Sequence, residues 1–179
     1  AVASVTVPVD LRSADPADRR IGRLVYRGGI SIVPSDERFG GLSAFRVSAD
    51  GTHFVAVEDE GVWATGTLSY DANGDLAGAG DLRIARMLDA GGAPLEGKSE
   101  GDSEGLAFAA PHDLAGDAFV SYERDHRVLR FAFDKDGVSA KGEPFAMPEA
   151  IKGLRENEGL DVLATLADGR LLAISEYGP

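Results

Sequence analysis

The residues best equipped for chemistry are carboxylates placed beside strand starts and strand ends. In "DSEGLAF" an acidic pair, Asp102 and Glu104, runs straight into Gly105 and an apolar stretch. Related wording recurs as "GGLSAF" from Gly40 and "NEGLDVL" from Asn157. From the glycine, each stretch reads as an apolar run, a turn, a second apolar run and then a glutamate. Gly41 to Glu58, Gly105 to Glu123 and Gly159 to Glu176 span 17, 18 and 17 residues. Near-constant spacing within a unit and variable spacing between units is the signature of a structural repeat with loop insertions.

Neighbouring antiparallel strands bring the start of one and the end of the next to the same edge. The pattern therefore predicts that Glu58, Asp59, Asp102, Glu104, Glu123, Glu158 and Glu176 gather at one mouth. Like charges at that density repel unless a cation or basic groups offset them. A hard divalent ion with six to eight oxygen ligands answers that demand, so Ca2+ is the expected ion, with Glu58, Asp102, Glu104, Glu123, Glu158 and Glu176 as its ligands. The competing reading of each glutamate is a turn cap that accepts backbone N–H bonds. Zinc is disfavoured, because His53, His112 and His126 show no paired ligand spacing and there is no cysteine.

"YERDHRVLRF" sets Arg124, His126 and Arg127 beside Glu123. The guanidinium groups suit a phosphate or carboxylate, and the imidazole suits proton transfer near neutrality. These three are the candidate catalytic residues; the alternative is a salt-bridged corner. Ser43 in "GGLSAF" is no nucleophile elbow, because Phe45 stands where the second glycine belongs. "DANGDL" from Asp71 and "DKDG" from Asp134 resemble calcium loops, but the first has Leu82 where the closing glutamate belongs and the second places its glycine too early, so both read as hairpin turns.

The elements that must position these groups are strands. The 179 residues include 23 glycines, and Asp-Gly or Asn-Gly pairs at 50–51, 73–74, 136–137 and 168–169 separate apolar runs, as in tight hairpins. Four strand-like runs are expected at 42–47, 53–57, 62–70 and 82–88, and four more at 106–109, 118–122, 128–133 and 138–145. Short helical turns are expected in "DPADRRIG" and "PEAIKGLRE". The expected fold class is all-β: a β-propeller of four-stranded blades, of which this chain covers about half. Its units lie near 41–100, 104–150 and 158–179, with strands of another blade within 1–33. A closed ring needs about four to eight blades, so the remainder is expected from a second chain or a downstream segment. A two-sheet β-sandwich is the alternative.

A net charge of −12, from 30 acidic and 18 basic residues, argues against a nucleic-acid partner and is compatible with binding cations or with plain solubility. No run is long and apolar enough for a membrane helix. The chain begins without methionine, which suggests an upstream segment removed on export, to the periplasm or beyond the cell.

Taken together, "YRGGISI", "RFGGLSAFRVSADG", "EDEGVWATGTLSYDANGDL", "DSEGLAF", "VSYERDHRVLRF" and "NEGLDVLATLADGRLLAISE" resemble the phytase-like domain family, often labelled "esterase-like activity of phytase". The resemblance runs from about Arg23 through nearly the whole remaining chain. It implies a β-propeller, export, and activity on phosphate or carboxylate esters of a small anionic substrate. The chain departs from the family in having Glu158 at a usual glycine and Asp161 at a usual glutamate. Three functions stay open: a calcium-dependent hydrolase of anionic esters, a non-catalytic binding module, and a lactonase-like or carboxyl-ester hydrolase.

Overall fold

The computed structural model describes residues 1–156 and 158–176, with the side chain of Lys152 left aside. Asn157 of the third glycine motif and the terminal "YGP" lie outside the described residues. The chain is all-β, with small antiparallel sheets none of which closes on itself. In order the strands are β1 (Ser4–Pro8), β2 (Arg20–Ile21), β3 (Leu24–Val25), β4 (Ile30–Pro34), β5 (Leu42–Val47), β6 (His53–Glu58), β7 (Val62–Tyr70) and β8 (Leu76–Arg86). A one-turn helix α1 (Gly97–Gly101) follows, then β9 (Ser103–Phe108), β10 (Ala118–Tyr122) and β11 (Arg127–Phe131). The chain continues through a second one-turn helix α2 (Phe133–Asp136), β12 (Gly142–Phe145), β13 (Leu160–Thr165) and β14 (Leu171–Ser175).

Two four-stranded meanders dominate, β5-β6-β7-β8 and β9-β10-β11-β12, and β13-β14 forms a third, two-stranded unit. Three Asp/Asn-Gly pairs do the work expected of them: Gly51, Gly74 and Gly169 adopt φ of 76°, 75° and 84° between paired strands. That left-handed region is cheap only for glycine. The fourth pair differs. Asp136 closes α2 and Gly137 opens a 3-10 turn over Gly137–Ser139, so "DKDG" is helical and the expected strand at 138–145 shortens to β12. "PEAIKGLRE" is a 3-10 turn at Glu149–Gly153, whereas "DPADRRIG" holds no helix. The expected strand at 82–88 is the far end of β8, which starts at Leu76.

The units stack face to face. Alternate residues of β9 point to opposite sides, so Leu106 and Phe108 join Val55, Val57, Trp63 and Met87 of the first unit, while Ala107 joins Leu160 and Leu163 of the third. Trp63 is fully buried and meets the Phe131 ring edge-on at 5.1 Å. Burying a large apolar side chain contributes about 1.5–3 kcal/mol, so this shared core holds the units in fixed relation. Two buried serines tie them further. Ser103 Oγ donates to the Glu58 carbonyl at 2.5 Å, and Ser121 Oγ donates to the Leu160 carbonyl at 2.5 Å.

The N-terminal ribbon β1–β4 lies along β8, where Val2 N–H donates to the Leu82 carbonyl at 2.7 Å. Arg19 and Arg27 clasp buried Asp75 in the β7–β8 turn at 2.6 and 2.8 Å. At the ends of the stack apolar faces stay open: Leu42 and Phe45 on one, Val162 and Ile174 on the other.

Candidate functional site

Strands β5, β9 and β13, the first of each unit, lie side by side with β9 in the middle. They run the same way, because polar ties link them at both ends. Ser43 hydrogen-bonds Glu104 near their starts, and Thr165 Oγ1 donates to the Phe108 carbonyl at 2.6 Å near their ends. Each first strand carries a bulge in its ladder: between Leu42 and Ala44, within Ser103–Leu106, and between Leu160 and Val162. An unpaired extra residue re-aims its side chain.

Backbone bonds fix which positions correspond. Asp59 N–H donates to Gly41 O at 3.1 Å, Glu123 N–H to Asp102 O at 2.8 Å, and Glu176 N–H to Gly159 O at 3.2 Å. Asp59, Glu123 and Glu176 are therefore equivalent, as are Gly41, Asp102 and Gly159. Two residues further on, at the bulges, Ser43, Glu104 and Asp161 correspond. This revises the alignment drawn from the glycines. Gly105 is not the counterpart of Gly41: an added Cβ there would sit 2.6 Å from Ser121 Oγ, so it is glycine for close packing, whereas Gly41 adopts φ 55°. Glu58 is likewise one residue short of the ring formed by Asp59, Glu123 and Glu176.

The carboxylates fall into two neighbouring groups. Around Glu104, burial raises its pKa to about 7, and the fields of Glu123, Asp102 and Asp161 add to the rise against the Ser43 hydrogen bond. Burial also raises Asp161, with Glu123 and Glu176 contributing. Glu123 Oε1 accepts the Gly159 N–H at 3.0 Å, which reaches from the second unit to the third. Around Glu58, burial lifts the pKa to about 7, with Asp59, Asp36 and Glu60 adding and a Gly40 N–H opposing. Its Oε1 is buried without a partner among the described residues. Lys98 bonds Asp59 at 2.7 Å and also feels Asp102 and Glu104, so it stands between the groups.

The remaining candidates are committed to local bonds. Asp102 is buried and receives Arg124 Nε at 2.7 Å, and that bond accompanies a left-handed φ of 59° at Arg124. Arg127 lies over the Tyr122 ring at 4.3 Å and donates to the Glu100 carbonyl. His126 Nε2 is 2.8 Å from the Arg155 carbonyl, which makes Nε2 the protonated nitrogen, while Nδ1 is buried without a partner among the described residues. Glu158 pairs with Arg155 at 3.2 Å. Asp161, absent from the expected ligand set, belongs to the Glu104 group. Its signal in the sequence was its place two residues beyond Gly159, matching Ser43 two beyond Gly41.

All the donors are oxygens, the chemistry a hard cation prefers. Among the described residues, however, no three His, Asp or Glu side chains come close enough together to share a metal ion. The described residues also contain no helix long and apolar enough to cross a membrane.

Residues 37–178 match the family model described as "Phytase-like: Esterase-like activity of phytase". The chain belongs to this phytase-like family. No curated protein and no solved structure matches it. The family match takes in both complete units and the third, and so every carboxylate of the two groups except Asp36.

Proposed function

We propose that this phytase-like chain supplies about half of a β-propeller hydrolase, exported to the periplasm or secreted, that cleaves phosphate or other anionic esters. The observation that carries the reading is the correspondence of Glu104 with Asp161, and of Asp59 with Glu123 and Glu176, at one end of three successive units. Stacked sheets with open apolar faces at both ends support a ring completed by a second chain or a downstream segment. Exposed apolar patches of this kind are what further blades would cover.

Within the site, Glu104 is the proton-handling group. With a pKa of about 7 it is near half-protonated at neutrality, the condition under which a carboxyl serves as general acid or base. Burial is the main cause, and repulsion from Glu123, Asp102 and Asp161 adds to it. A Ca2+ ion at this end would offset the like charges, with most of its ligands drawn from the rest of the ring, because no three carboxylates of the described residues converge on one point. Arg124, beside Glu123 in sequence and 43% exposed at its side chain, and Lys98, which bonds Asp59 and feels Glu104, are the cations an anionic ester would meet at this end.

A non-catalytic binding module is the second reading. It is favoured by the engagement of Arg124 with Asp102 and of Arg127 with Tyr122, which leaves neither guanidinium free. Steady-state hydrolysis of p-nitrophenyl phosphate and p-nitrophenyl acetate across pH, with and without calcium, separates the two. The hydrolase reading expects turnover with a pH limb near 7 that Glu104→Gln abolishes. No turnover of either ester by the assembled protein would leave the binding module.

A further inference from the structure

We propose that the opposite end of the first strands forms a separate site for a small oxyanion, built on Arg46. A cavity of about 280 Å³ opens there, lined by Arg46 of β5, by Phe108, His112 and Asp113 at the end of β9 and the loop after it, and by Thr165 of β13. Its walls come from all three units and are locked to each other. Arg46 Nη2 donates to the Leu163 carbonyl at 2.6 Å, Thr165 Oγ1 to the Phe108 carbonyl, and Asp113 Oδ1 accepts the Ala49 N–H at 3.0 Å. The cavity is therefore preorganised.

Arg46 is half-buried, and among the described residues it takes part in no ion pair. Its bonds run instead to backbone carbonyls, a short one to Leu163 and a long one of 3.5 Å to Phe45. Two of five N–H groups are thus used, which leaves part of the planar fork for an incoming pair of oxygens. A guanidinium retained in a cavity without a carboxylate partner, in a chain of net charge −12, is the group an anion would pair with. Asp113 faces the same space, but Oδ1 is taken up by the N–H groups of Ala49 and Leu114. Its charge disfavours highly charged ligands such as a polyphosphate and restricts the ligand to a small one, a carboxylate or a single phosphate group. His112 stands exposed on the lining, with ring nitrogens that can hydrogen-bond an oxyanion.

This site is distinct from the carboxylate end, since Arg46 and Thr165 sit toward the far ends of strands whose starts carry Ser43 and Asp161. It stands whether or not the chain is a hydrolase.

The test is titration of the full chain with inorganic phosphate and, separately, with acetate, followed by amide and arginine Nε–H signals in 1H–15N spectra. The expected result is saturable shifts at Arg46, Thr165 and His112 with at least one anion, whose affinity falls about tenfold or more in Arg46→Gln. Arg46→Lys, which keeps the charge and loses the fork, should weaken binding less than Arg46→Gln and serves alone if the glutamine variant fails to fold. Shifts that grow linearly without saturation for both anions would overturn the proposal. So would a wild-type affinity retained by either variant. Which of phosphate and acetate saturates first names the ligand class.

Discussion

Ser121→Ala should be among the most damaging single-atom deletions in this protein. The hydroxyl is fully buried and does two things at once: it accepts the Gly105 N–H at 2.9 Å and donates to the Leu160 carbonyl at 2.5 Å. Alanine removes one oxygen and leaves both backbone groups unpaired, with Leu160 only 4% exposed. Each unpaired buried group costs about 1–3 kcal/mol. Local relaxation recovers part of this, so the expected loss is about 2–4 kcal/mol, against within about 0.5 for an ordinary surface change. For a chain of this size that corresponds to a drop in Tm of about 5–15 °C. Urea unfolding followed by tryptophan fluorescence reads it through Trp63 in the core between the first and second units, and far-UV circular dichroism reports the whole chain beside it. The effect should reach the site as well. With the third unit loosened, Glu104 is less desolvated and feels Asp161 less, so its titration should move down toward the ordinary range. A loss below about 0.5 kcal/mol with Glu104 unmoved would refute the claim that Ser121 fixes one unit against the next.

Three further outcomes are expected. Glu58 and Glu104 both have pKa values raised to about 7, so between the ordinary 4.5 and 7 the folded state holds more protons than the unfolded one. Stability measured in chelator should therefore fall as pH rises through that window and level off above it. For Glu58 the ceiling is about 3 kcal/mol, reduced to roughly 1–2 by water near its partly exposed acidic neighbours, and Glu58→Gln should flatten the slope; a rise in stability from pH 5 to 8 would contradict this. Arg124→Gln leaves Asp102 buried without its ion-pair partner and should cost about 1–3 kcal/mol in urea unfolding, less than a fully buried pair because Arg124 is partly exposed. The isolated chain should self-associate in light scattering through its open apolar faces; a well-behaved monomer at high concentration would count against the half-ring.

Strands and hairpins were legible because they are local: alternation and a positive-φ glycine are written in neighbouring residues. Asp136-Gly137 misled because the same pair also ends a helical turn, and only the packing of Phe133 against Trp63 and Phe108 decides between them. The repeat was legible, yet its register in the second unit was not. A bulge shifts pairing without changing composition, and Gly105 mimics Gly41 while serving a different need. Glu58 looked like a ring member but is the last residue of the buried run of β6, one residue before Asp59. The neighbours Arg124, His126 and Arg127 looked like one cluster, but the turn sends them to Asp102, the Arg155 carbonyl and Tyr122. Asp161 matched Ser43 by its place after the glycine, but its correspondence with Glu104 needed the backbone bonds of three strands far apart in sequence.

The central claim is that carboxylates from successive units act on one another at one end of the first strands. A carboxyl-detected NMR titration of Glu104 in the full chain, without and then with calcium, tests it most directly. The account predicts a midpoint near 7 that falls on adding calcium and falls on Asp161→Asn. A midpoint in the ordinary glutamate range, indifferent to both, would contradict it.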